Sequence, residues 1–158
     1  MLASVERGRV VSHVRPLTIE ELPRAEALGQ EFHRLSGDTG TFHVELFLQS
    51  WNRVYATGRG TIIGLWLEDD LVGGLGGLLA PDMETGVVRA YETFWYVTPR
   101  ARGLGGWGML EQFESWAKAR GATVSRIGHL AGPDNDRFSK VYGRKGYRLQ
   151  RLTFEKEL

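Results

Sequence analysis

The spacing of hydrophobic positions changes several times along the chain, and each change marks an element. Residues 10–16 (VVSHVRP) make a short apolar run that predicts a first strand. From Thr18 onward, apolar residues recur three and four apart through Leu22, Ala25, Leu28 and Phe32, the spacing of one helix face. Thr18 with Glu21 three residues later is a capping-box signature for the start of that helix. Gly37-Asp38-Thr39-Gly40 interrupts the pattern, and residues 42–55 resume it through Val44, Phe47, Leu48, Trp51 and Tyr55.

The period then shortens. Residues 61–82 (TIIGLWLEDDLVGGLGGLLAPD) read as strand, acidic turn at Glu68-Asp69-Asp70, and strand, which is a hairpin. Residues 87–97 predict a third long strand, followed by a glycine-rich turn and a helix to about residue 120, with Leu110, Phe113 and Ala117 on one face. Gly121 stands where a helix C-cap belongs. Residues 123–130 predict a strand, 135–146 a short helix ending at Gly146, and 147–158 a closing strand. No repeat, linker or boundary interrupts the order β-α-α-β-β-β-α-β-α-β. The expectation is a single α/β domain over residues 1–158, a mixed twisted sheet of about six to seven strands with about four helices on both faces.

Composition adds limits. The formal charge of +1 carries no nucleic-acid footprint and no signature of an acidic-membrane binder. No cysteine is present, so a disulfide framework and a thiolate zinc site are excluded, and a cytoplasmic setting is the expectation. No apolar stretch reaches the roughly 18 residues of a spanning helix. Glu6, Arg7, Arg9 and His13 break any signal-peptide core. The four histidines make no metal-spaced set, and no metal is expected. Glycine is the outlier, 21 residues at nearly twice the typical share of about 7%. Its clusters point to shaped turns and close backbone contacts.

The cluster at 103–108 lies at a strand-to-helix turn, where unpaired N–H groups and the helix dipole favour an anion. A P-loop needs Gly-Lys-Ser/Thr, and here the chain reads Gly106-Trp107-Gly108. Gly103-x-Gly105-x-x-Gly108 fits a dinucleotide fingerprint by spacing, but it follows an antiparallel meander, and the next predicted strand holds no acid. The run Val97-Thr98-Pro99-Arg100-Ala101-Arg102-Gly103-Leu104-Gly105-Gly106 instead resembles the acyl-coenzyme A loop of the GNAT N-acetyltransferase superfamily. Asn135-Asp136-Arg137-Phe138 through Tyr142 to Gly146-Tyr147 is similar to the family's second motif, with Phe138 in place of a small residue. The likeness covers roughly residues 60–158, and the aromatic segments on either side of the loop resemble GNAT-like proteins encoded by bacteriophages.

That resemblance implies an N-acetyltransferase that moves acetyl from acetyl-coenzyme A directly to a primary amine. It implies Tyr142 as the acid that protonates the leaving thiolate and Glu92 as the base, acting through water. It places the cofactor against Trp95, Tyr96 and Val97, against the loop Arg102, Gly103, Leu104, Gly105, Gly106, Trp107 and Gly108, and against Asn135. Each residue has a plainer reading: Tyr142 as a helix aromatic packed on Phe138, Glu92 as a solvated strand carboxylate, Asn135 as a turn and helix cap. Arg100 is a weaker phosphate partner than Arg102. His129 reads first as a structural hydrogen-bonder, and His33 and His43 lie on or beside the helices that wall the acceptor site in the family. Trp51, Trp66, Trp95 and Trp116 read as core.

Trp107 departs from the family loop, since one placement puts the last family glycine there. Its indole either blocks the diphosphate, stacks on the cofactor or packs under the loop. The competing expectation is a GNAT-fold binding or structural protein without activity, as a component of a phage particle, with virion proteins as partners and the virion as its location. For the enzyme, the acceptor is a small molecule or protein amine, and the family often forms homodimers.

Overall fold

The computed structural model describes residues 11–129 and 132–158; Val10 of the first predicted strand and Leu130 of the fifth lie outside the described residues. Backbone contacts gather the chain into two units, one ending at Ile127 and the other Gly128–Leu158.

The first unit is built on one sheet. Strand β1 (Ser12–Pro16) pairs antiparallel with β2 (Gly60–Leu67), β2 with β3 (Asp70–Pro81), and β3 with β4 (Val88–Val97). The short β5 (Val124–Arg126) runs parallel to β4. The strand order is β1-β2-β3-β4-β5. Helices α1 (Glu26–Ser36) and α2 (Val44–Ala56) precede β2, and α3 (Gly106–Ala119) lies between β4 and β5. The fold is α/β with a mixed sheet, as the order of patterns predicts.

Each face of the sheet has its own core. On one, Trp51 of α2, Leu22 and Ala25 before α1, and Ile62, Trp66 and Phe94 of the sheet are buried together. On the other, Met109, Leu110 and Phe113 of α3 are fully buried with Leu65 and Leu75. Strand β3 is the platform for both, and its glycines explain how. A Cβ at Gly77 would overlap the Phe113 ring, and one at Gly76 would stand 2.6 Å from the Phe94 ring and the Thr93 hydroxyl. Aromatic side chains thus lie directly on the β3 backbone, where any other residue would push them off. Tyr55 ties α2 to the sheet, donating to the Leu17 carbonyl at 3.1 Å and accepting from the Ile62 N–H at 2.9 Å. Burial raises its pKa.

The expectations need three corrections. The helix predicted from Thr18 begins as a 3-10 turn, Ile19–Ala25, and turns α-helical at Glu26. Pro23 lies inside that first stretch; it has no N–H to give and restricts the residue before it. The strand predicted over 123–130 is three residues long. Residues 147–158 form no strand, so the described residues hold five strands, not six to seven. A β propensity becomes a strand only where a neighbour offers a ladder, and Leu149, Leu152 and Phe154 are instead largely exposed.

The second unit holds α4 (Asn135–Arg144), closed by Gly146 at φ +89° and by the Tyr147 N–H on the Tyr142 carbonyl at 3.0 Å.

Candidate active site

Strand β5 leaves β4 early. The last pair between them is Tyr91 with Arg126, while β4 continues to Val97. Beyond Tyr91, the edge of β4 facing away from β3 therefore has no ladder partner among the described strands. Alternate N–H and C=O groups along Trp95, Tyr96 and Val97 point to that edge, the geometry that accepts an extended amide chain as an added strand.

A bulge sets what borders this edge. Gly77 pairs with Glu92 and Gly76 with Phe94, so Thr93 is the extra residue. The bulge reverses the alternation of β4. Glu92, opposite Gly77, takes the α3 face, whereas Thr93 and Phe94 take the face of α1 and α2. Without the bulge Glu92 and Phe94 would share a face. Glu92 is half-buried.

The loop after β4 is held from beneath. The Thr98 N–H bonds to the Val72 carbonyl at 2.9 Å, the Leu104 N–H to Ala101 at 3.1 Å, and the Ser12 hydroxyl donates to the Leu104 carbonyl at 2.9 Å. Gly103 has φ +84° with open space around it, a left-handed turn that glycine adopts without strain. Gly105 is needed for a different reason, since a Cβ there would lie 2.7 Å from buried Leu65. A Cβ at Gly106 would meet nothing within 4 Å, so this backbone borders open space. Helix α3 has no side-chain cap and no acid in its first turn, which leaves its N-terminus electropositive. Arg102 is exposed beside it, while Arg100 pairs with Asp70 at 3.0 Å. These features fit a diphosphate: turn amides on open space, a helix N-terminus and a guanidinium.

Trp107 projects from the first turn of α3, and its ring meets Trp95 edge to face, centroids 5.8 Å apart. The indole remains 40% exposed. The two tryptophans join the loop to the open edge of β4.

Asn135 and Tyr142 lie in the second unit. The Asn135 side-chain oxygen accepts the Gly132 N–H at 3.0 Å and lies 3.2 Å from His129 Nε2, so this residue does cap the turn. Tyr142 is half-buried in an aromatic group, 5.9 Å from the His129 ring, 6.0 Å from Phe138 and 6.3 Å from Tyr147, centroid to centroid.

Between α1, α2 and β4 lies a cavity of about 330 Å³, lined by Phe32, Phe42, Phe47, Trp51 and Phe94 among others. Sequence reasoning reached its histidine, His33, but not Asp38, Ser50 or Thr93, which also line it. The aromatic spacing of residues 42–51 was the available signal. The bulge that brings Thr93 there has none.

The profile of the acetyltransferase (GNAT) family matches residues 25–147, most of the chain and both motifs. This chain belongs to the GNAT acetyltransferase family. Solved structures agree on the fold. An aminoglycoside acetyltransferase from an uncultured soil metagenomic sample superposes with a TM-score of 0.73 at 19% identity, over 94% of this chain and 99% of that one. AAC(6')-Iy, solved with a bisubstrate analogue of coenzyme A, gives 0.73 at 13% identity over 94% and 99%. Glucosamine-6-phosphate N-acetyltransferase from Arabidopsis thaliana gives 0.70 at 14% over 93% and 98%. No curated protein matches the chain by sequence.

Proposed function

We propose that this GNAT protein is an N-acetyltransferase that moves acetyl from acetyl-coenzyme A directly to a primary amine. The observation that carries the reading is the open edge of β4 after Tyr91, running into a glycine turn at the N-terminus of α3. In this reading the backbone of Trp95, Tyr96 and Val97 pairs with the pantetheine amides. The amides of Gly103, Gly105 and Gly106 and the Arg102 guanidinium hold the diphosphate, with Leu104, Trp107 and Gly108 flanking it and Asn135 adding a polar contact.

The amine nitrogen attacks the thioester carbonyl, a C–N bond forms, the C–S bond breaks, and the products are the acetamide and the free thiol. The amine must be neutral when it attacks. Glu92, on the face opposite the cavity, takes the ammonium proton through water at the open strand edge; Tyr142 gives its phenolic proton to the thiolate, and the second proton that the nitrogen sheds as the amide forms restores the phenol through water. That the neighbours named above include enzymes of aminoglycosides and of an amino-sugar phosphate supports an amine acceptor.

Calorimetry with acetyl-coenzyme A, combined with free-thiol release over a panel of amines, tests this. Binding with amine-dependent thiol release is expected, and Tyr142→Phe should lower turnover about tenfold or more with unchanged cofactor affinity. No binding at millimolar cofactor would overturn it.

A further inference from the structure

We infer that the acceptor is a primary amine carried on an aromatic body, seated in the cavity between α1, α2 and β4. This deepens the acetyl-transfer reading and rests on it.

The walls carry the argument. Phe42 and Phe47 meet at 5.3 Å, Phe47 and Trp51 at 6.4 Å, and Trp51 and Phe94 at 6.1 Å, all tilted or edge-on. A further ring enters such an array in the same edge-to-face manner. Gly29 keeps the space between the helices narrow, because a Cβ there would stand 2.8 Å from the Phe47 ring. The volume of about 330 Å³ is at the low end of small-molecule sites, roughly 300–1,000 Å³.

Polar groups are few. Asp38 is the one carboxylate among the described lining residues, on the loop that the His33 ring anchors through the Gly40 carbonyl at 2.7 Å. One carboxylate balances one ammonium. A polycation would bring several charges against aromatic walls, and each unpaired charge removed from water is costly. The end of the cavity at β4 is Thr93 and Phe94, two and three residues past Tyr91, the last residue that pairs with β5. Phe47 and Trp51 both meet Phe94, at 6.5 and 6.1 Å, so an amine with its ring on them sits beside the strand whose open edge receives the thioester arm.

The test sets phenethylamine and tryptamine against spermidine and a polycationic aminosugar. Amine binding is read without cofactor by saturation-transfer NMR, acetyl-coenzyme A binding by calorimetry, and transfer by thiol release. The two aryl amines should bind alone and be turned over with the higher kcat/KM. Ser50→Trp, at an exposed lining position, should raise KM for phenethylamine about tenfold or more, with cofactor affinity and Tm unchanged. Ser50→Leu should do the same to a lesser degree if the tryptophan disturbs α2. Equal or better turnover of spermidine or the aminosugar, or an unchanged KM in both folded variants, would overturn the inference. If the aryl amines bind and lose affinity in Ser50→Trp, yet acetyl-coenzyme A neither binds nor releases thiol, the acetyl-transfer reading fails while the cavity stands as an aryl-amine site.

Discussion

Gly105 and Gly106 are adjacent and owe their glycines to different causes. A methyl at Gly105 would press on Leu65, which is fully buried, whereas a methyl at Gly106 would project into open space. Gly105→Ala should therefore destabilise the protein by about 1–3 kcal/mol, as overpacking does. Gly106→Ala should leave stability unchanged or raise it by about 0.4–1 kcal/mol, while weakening coenzyme A binding because the added methyl stands where phosphate must approach. Urea denaturation and calorimetry on both variants separate the two causes. Trp107 presents the other question of the loop. Its edge-to-face contact with Trp95 is worth about 0.5–1.5 kcal/mol beyond the area it buries, and a glycine in its place adds backbone entropy of about 0.5–1 kcal/mol. Trp107→Gly should lower stability and weaken acetyl-coenzyme A binding. Tighter binding would mean that the indole occupies the diphosphate cradle, and would favour a protein that binds or assembles without catalysing.

Among the elements, the link from β1 to α1 has a testable electrostatic feature. Arg15 of β1 grips Glu21 with two bonds, 2.7 and 2.8 Å, and the same carboxylate accepts the Thr18 N–H at 2.9 Å. The Arg15 bond, helped by the Thr18 N–H, holds the Glu21 carboxyl down to about 2. A carboxyl depressed in the folded state stabilises it fully above its ordinary range, and that contribution is lost as pH falls toward 2. Glu21→Gln should lower Tm at pH 7 and flatten the fall of Tm between about pH 5 and 2 relative to wild type; identical curves would show that the pair contributes nothing. The capping signature of Thr18 and Glu21 was legible, as were the four α-helices, the hairpin and the turn at Glu68-Asp69-Asp70, because each is fixed by local spacing and turn chemistry. The 3-10 start of the first helix has its own local sign in Pro23. The fate of residues 147–158 was not legible, because an alternating pattern says nothing of whether a ladder partner is present. Nor was the bulge at Thr93, which depends on how β4 registers with four glycines of β3, a property of the pair rather than of either strand. With it went the face on which Glu92 stands and the aromatic cavity beside Thr93.

At the scale of the molecule, the parts with the most consequence for function are places where regular structure stops. β5 abandons β4 after Tyr91, the glycine turn exposes backbone at the start of α3, and the bulge directs Thr93 toward the cavity. Two motifs in the sequence located the turn and the α4 segment, and the family profile over residues 25–147 confirms what they imply about ancestry and fold. No helix among the described residues is long and apolar enough to cross a membrane. The central claim is that coenzyme A pairs with the free edge of β4 and rests its diphosphate on the turn amides. Residue-resolved amide hydrogen exchange with and without coenzyme A tests it most directly. The account predicts binding with added protection concentrated in residues 92–97 and 103–108, the edge and the turn. Binding that leaves both segments unprotected, or no binding at millimolar coenzyme A, would contradict it.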